Sequence, residues 1–239
     1  MYRKRVFLFI LVLVFSSGCA LWKRSDTTRA TPEALYRKGY DHYRGGRYDK
    51  ASELFQKVKE EYPLSQVAIL AEIGIADSHF SQGEYAEAEM AYNDFINLHP
   101  TNENLPYTMY QLGMCHYKQM STRDRDQTET WKARKEFERL ISRFPGSKFS
   151  FLAEKKLGDC KKRLGEHEFY VGCFYFKRKK YEAALKRFET ITRDYANLGL
   201  DYKASYFIRE TKKHLSREEV QKKSPEAKPP PPEGPAAPW

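Results

Sequence analysis

The chain has 239 residues, 41% of them hydrophobic and 15% aromatic, and a formal net charge of +10. The apolar fraction suffices for a continuous core, and the length fits one elongated body. Four cysteines without a C-x-x-C pair exclude the common metal and redox spacings, and the basic balance comes with no nucleic-acid recognition motif.

The first segment reads as an address. Arg3, Lys4 and Arg5 precede ten apolar residues, Val6 to Phe15, and then Ser16-Ser17-Gly18-Cys19. Ten apolar residues are too few to span a bilayer, which needs about twenty, so residues 1–18 are predicted to be a secretory signal. Its end resembles the bacterial lipobox, in which the cysteine thiol takes a diacylglycerol and becomes the new N-terminus. Ser16 stands where that box usually has leucine. The resemblance implies lipidation at Cys19, and Ala20 in place of aspartate after it implies the outer membrane. Acyl chains contribute about 0.8 kcal/mol per buried CH2, so a multiply acylated cysteine anchors firmly without a transmembrane helix. Residues 19–31 are then a lipidated, polar tether. An ordinary cleaved signal with an incidental cysteine is the plain alternative.

Beyond the tether one spacing recurs: an alanine, an aromatic four residues on, and a helix end eight further, usually at proline. It runs Ala51–Phe55–Pro63, Ala88–Tyr92–Pro100 and Ala133–Phe137–Pro145, with Ala184–Phe188–Ala196 as a weaker copy. Gly45-Gly46 and Gly83 supply turns ahead of Tyr48 and Tyr85, since glycine accepts φ > 0 without steric cost. Small residues, Gly39, Ala76 and Gly172, lie twelve positions before three of the alanines and let two backbones approach. Proline then stops the second helix. This is the signature of the tetratricopeptide repeat, so the predicted fold is all-α, a superhelix of about five helical hairpins with one degenerate. Helices are predicted over 32–45, 48–61, 65–82, 85–98, 104–120, 129–143, 147–178 with a break near Gly165 left open, 181–195 and 199–214. The third copy holds twenty residues between Gly113 and Ala133 where the repeat expects twelve, which places an insertion in 121–130.

Residues 32–145 form an N-terminal half of three repeats and 146–215 a C-terminal half. Residues 147–223 hold 20 basic and 11 acidic groups, whereas 19–146 hold 18 and 19, so the positive excess sits behind. It reads either as a docking face for an acidic surface or as a solvated helical face. Besides Cys19, the odd number of remaining cysteines, Cys115, Cys160 and Cys173, cannot all pair and reads as small buried hydrophobes. Residues 216–239 are predicted to be a proline-rich disordered tail, with seven of the 12 prolines from Ser224 on.

In this repeat the first helix of each hairpin lines the concave surface. Counting from the small residues gives Tyr36, Tyr40 and Tyr43, then Leu70, Ile73, Asp77 and Phe80. The third copy gives Tyr107, Tyr110, Met114 and Tyr117, and the fourth Phe169, Cys173 and Phe176. Such an aromatic channel with few charges suits an extended peptide. The substrate groove is predicted from Tyr36, Tyr40, Tyr43, Ile73, Phe80, Tyr110 and Tyr117. The other reading of these rings is packing between helices.

The lipobox, Pro32-Glu33-Ala34-Leu35-Tyr36, Gly46-Arg47-Tyr48-Asp49-Lys50-Ala51, Phe95-Ile96-Asn97-Leu98-His99-Pro100 and Arg123-Asp124-Arg125-Asp126-Gln127-Thr128 together resemble the BamD (ComL, YfiO) family. These are lipoproteins of the outer-membrane β-barrel assembly machinery, the BAM complex. The resemblance covers about residues 16–214. It implies a non-enzymatic scaffold without cofactor or metal, lipid-anchored on the periplasmic face of the outer membrane. It implies partners in the POTRA domains of BamA, other Bam lipoproteins and unfolded barrel proteins, and none in nucleic acid. Lys186, Arg187 and Arg193 fall on the side it implies for BamA. A periplasmic repeat adaptor of another envelope process, of the CpoB kind, is the alternative, although no heptad run follows Cys19. A wall hydrolase would need a Ser/His/Asp order, a Gly-rich loop or a metal spacing, and none is present.

Overall fold

The computed structural model describes residues 30–223. The signal, Cys19 and the proline-rich segment from Ser224 lie outside the described residues. Among the described residues every regular element is helical: α1 (Pro32–Arg44), α2 (Tyr48–Glu61), α3 (Gln66–Gln82), α4 (Tyr85–Leu98), α5 (Leu105–Lys118), α6 (Thr128–Arg143), α7 (Lys148–Lys177), α8 (Tyr181–Asp194) and α9 (Asp201–Lys223). Each packs on the next, and α1 also touches α3 and α5 touches α7, as stacked hairpins require.

Helix ends follow from local chemistry. Thr31, Ser65 and Ser147 cap α1, α3 and α7, each accepting a bond from a first-turn N–H. The stops of α2, α4 and α6 fall two residues before Pro63, Pro100 and Pro145, with Tyr62, His99 and Phe144 leaving the helical region. Gly46 and Gly83 take the left-handed turn at φ 71° and 83°. The fourth copy makes the same turn with Lys179 at φ 59°, a conformation that costs a side chain about 1–2 kcal/mol.

The repeated aromatics settle over missing side chains. Phe55 is 1% exposed and lies between two helices. A Cβ on Gly39 of α1 would stand 2.9 Å from its ring, and one on Gly74 of α3 2.7 Å. Phe137 sits over Gly113 and Phe188 over Gly172, each with 2.6 Å to the nearest ring atom from such a Cβ. Ala51, Ala88, Ala133 and Ala184 are all fully buried beside these rings. The second copy differs: Tyr92, also fully buried, faces Ala76 and spends its hydroxyl on Asp77.

One point left open by the sequence and one difference from expectation concern helix length. The long helix is unbroken through Gly165, which is buried where a Cβ would meet Tyr195 at 3.2 Å and Leu200 at 3.3 Å. The last helix continues to Lys223, well past residue 214. The inserted loop is held by its own Gln127, whose amide donates to the carbonyls of Thr122 and Arg125 at 2.8 and 3.0 Å. It also leans on α7, where Arg163 donates to Ser121 O at 3.1 Å and a His167 ring N–H to Arg123 O at 2.7 Å.

Glycine-to-alanine exchange separates close packing from helix propensity. Gly113→Ala is expected to destabilise the protein by about 1–3 kcal/mol, because Phe137 has nowhere to go. Gly158→Ala, with nothing within 4 Å, is expected to stabilise it by about 0.5–1 kcal/mol. Urea midpoints measure both, and equal signs for the two would refute the ring-over-glycine account.

Candidate functional site

A groove of about 310 Å³ opens between α1, α3 and the first turns of α5 and α7. Tyr36, Tyr40 and Tyr43 fall on one face of α1 because they are four and three residues apart; Leu70, Ile73 and Asp77 do the same on α3. Phe55 and Gly74 form part of the lining from behind, and the Tyr36 ring rests on Phe55 at 5.3 Å. Glu103, Asn104 and Tyr107 from α5 and its approach complete one wall with Lys148 and Phe149 at the start of α7. Tyr107 meets Phe149 edge-on at 5.3 Å, and the Lys148 ammonium stands 5.0 Å above the Phe149 ring. Tyr40 is the most open ring, 47% exposed.

Asp77 is the polar centre. Its Oδ1 accepts from the Tyr92 hydroxyl at 2.5 Å and from the Tyr107 hydroxyl at 2.8 Å. Gln111 in turn donates to the Tyr107 oxygen at 3.2 Å. Burial pushes the Asp77 carboxyl above its ordinary range, and the two hydroxyls pull it part of the way back. Burial and the neighbouring Asp77 charge both raise the Tyr92 and Tyr107 phenols, which therefore stay protonated and donate.

Four of the seven groove residues expected from sequence stand together here: Tyr36, Tyr40, Tyr43 and Ile73. The other three lie elsewhere. Phe80 packs edge-on against Tyr85 at 5.4 Å. Tyr110 lies between Phe137 and Phe149, 6.0 Å from each. Tyr117 points at a separate polar cleft, donating to Asp159 at 2.9 Å beneath the Lys156 ammonium, and its phenol is pushed up to about 12, mainly by burial. Phe169 and Phe176 do not line a channel either, because α9 covers them: Phe207 sits 5.6 and 5.3 Å from the two rings. Cys173 packs in the same cluster. Sequence counting missed Glu103 and Asn104, which lie on the approach to α5, and Lys148 and Phe149, which reach the groove because α7 folds back against α5.

On the C-terminal half Lys186 is exposed. Arg187 reaches both carboxylate oxygens of Glu168 at 3.0 Å, and Arg193 lies 2.8 Å from its neighbour Asp194. The buried thiols of Cys115 and Cys160 are pushed up to about 12, chiefly by desolvation. They are protonated at neutral pH and serve as packing. Among the described residues no group of His, Cys, Asp and Glu could hold a metal ion, and no helix is long and apolar enough to cross a membrane.

The hydroxyl of Tyr92 has a pH-dependent worth. A carboxyl whose folded pKa lies above its unfolded value contributes stability below the unfolded pKa and loses it as pH rises through the folded one. Tyr92→Phe lifts the folded Asp77 value further. Its destabilisation is expected to grow as pH rises from about 4 to about 7, reaching about 1–3 kcal/mol at neutrality. Urea titrations at several pH values read this out; a loss independent of pH would show that the hydroxyl does not act through the ionised carboxylate.

The chain is similar to known proteins. The profile of the YfiO family, described as outer membrane lipoprotein, matches residues 28–227. The outer membrane protein assembly factor BamD of Rickettsia prowazekii is 31% identical over 216 residues, 90% of this chain and 86% of that protein. The BamD of Caulobacter vibrioides is 26% identical over 185 residues, 76% of this chain and 61% of that one. Among solved structures, a thermophilic TPR protein of Thermus thermophilus superposes with a TM-score of 0.42 at 16% identity, covering 74% of this chain and 99% of the other.

Proposed function

Since the chain belongs to the YfiO family of outer membrane lipoproteins, we propose that it is a non-enzymatic scaffold of the machinery that assembles β-barrel proteins into the outer membrane. The single observation that carries this is the family match across residues 28–227, with relatives named as assembly factors. In this reading the acylated Cys19 holds the protein at the periplasmic face of the membrane. The groove around Tyr36, Tyr40 and Ile73 receives extended segments of unfolded barrel proteins, and the C-terminal half docks on the POTRA domains of BamA, with other Bam lipoproteins alongside.

The groove chemistry supports the peptide half of the proposal. An extended chain needs apolar walls for alternate side chains and polar groups for its backbone. Six aromatic rings, Leu70 and Ile73 supply the first, and the tyrosine hydroxyls and the Asn104 amide the second. Asp77 is committed to two hydroxyls and the buried cysteines are protonated, so these groups serve structure and not chemistry. Of the three residues expected to face the partner, Lys186 has no ion pair among the described residues, while Arg187 and Arg193 already have intramolecular carboxylates. Replacing Lys186 is therefore expected to affect docking more than replacing Arg193.

Affinity capture from envelopes tests the whole reading, with BamA expected as the main partner. Tyr40→Ala combined with Leu70→Ala removes two exposed groove walls without touching the fully buried core. Crosslinking to C-terminal barrel peptides is expected to fall about tenfold while BamA capture persists. Loss of both together would mean misfolding, and capture without BamA would point to another envelope process. Labelled palmitate is expected on the mature protein and not on Cys19→Ser.

A further inference from the structure

Asp77 is a partly buried carboxylate without a counter-charge among the described residues. No ion pair with a described lysine, arginine or histidine ends on it, and only hydroxyl and amide donors soften its burial. Such a charge is costly to keep, and its ionised form gains most from a cation brought close. Asp77 is not sealed away: it lines the groove, below a rim of rings from Tyr36, Tyr40, Tyr43 and Tyr107. Aromatic faces carry negative quadrupole potential and attract ammonium and guanidinium groups. The wall opposite already shows this, with the Lys148 ammonium over Phe149. Glu103 adds a second carboxylate to the lining, so the acidic groups outnumber Lys148.

We propose that this part of the groove is a subsite for a cationic side chain, arginine or lysine, of an extended peptide: an aromatic box with the Asp77 carboxylate in its lining. The inference rests on the groove being a peptide site and adds what that site selects. The stem of the bound residue packs on Tyr36 and Tyr40, and its charged head meets the Asp77 carboxylate. An arginine head suits the site through its planar stacking and its fork of donors. No covalent step is involved.

The test uses the whole chain and a fluorescent barrel-derived peptide carrying arginine at one central position, compared with the same peptide carrying citrulline, which has nearly the same shape and no charge. The arginine peptide is expected to bind the native protein about tenfold tighter. Asp77→Asn keeps an acceptor for the two hydroxyls and removes the charge, so the preference is expected to vanish while citrulline-peptide binding remains. Should Asp77→Asn fail to fold by circular dichroism, Tyr40→Leu, at an exposed ring, is expected to reduce the preference on its own. Equal binding of the two peptides to native protein, with both weakened by Tyr40→Ala and Leu70→Ala, overturns the cationic subsite and leaves the peptide groove standing. A preference that survives intact in both Asp77→Asn and Tyr40→Leu also overturns it. Binding of neither peptide overturns the groove reading and this inference with it.

Discussion

The array depends on aromatic rings seated where the facing side chain is absent or, in the second copy, only a methyl. Phe55 touches Gly39 within its own hairpin and Gly74 in the next, so one ring both closes a hairpin and joins it to its neighbour. Phe137 and Phe188 repeat the closure with Gly113 and Gly172. A Cβ at any of these glycines would fall within 3 Å of ring carbon, in cores without slack. Helical glycine costs about 0.5–1 kcal/mol relative to alanine, and that cost is met here by the burial of a complete ring.

The groove is a by-product of the same packing. Gly74 carries no side chain because Phe55 needs the space, and the adjacent surface of α3 is consequently open beside Ile73 and Asp77. Tyr92 replaces phenylalanine in the second copy, and its hydroxyl, with that of Tyr107, is what makes a carboxylate tolerable at Asp77. Packing and site chemistry therefore share residues. A substitution at Tyr92 acts on both, whereas one at Tyr40 or Leu70 acts on the surface alone.

Much of this was legible in the chain. Fixed offsets between alanine, aromatic and proline gave the helices nearly to the residue, since each offset reflects a steric requirement that recurs in every hairpin. Tyr36, Tyr40, Tyr43 and Ile73 could be placed on one face by helical spacing once the repeat was recognised. Phe80, Tyr110 and Tyr117 obey that spacing and yet lie outside the groove, because Tyr85, Phe137 with Phe149, and Asp159 hold them. Periodicity specifies the face of a helix, not which neighbour covers it. Lys148 and Phe149 were beyond reach for a related reason: the contact of Phe149 with Tyr107 spans a long separation in sequence and depends on how α7 stacks on α5. The extent of α9 was also understated, because its polar last turns carry no apolar signal.

The unbroken α7 has a mechanical corollary. Thirty residues of helix run about 45 Å, from the groove wall at Phe149 to the turn at Lys179. Gly165, the natural weak link, is wedged by Tyr195 and Leu200, so flexure there is suppressed. The helix acts as a strut at this point: in the proposed function, a cargo segment seated at one end would be carried at a set span and bearing from whatever grips the other.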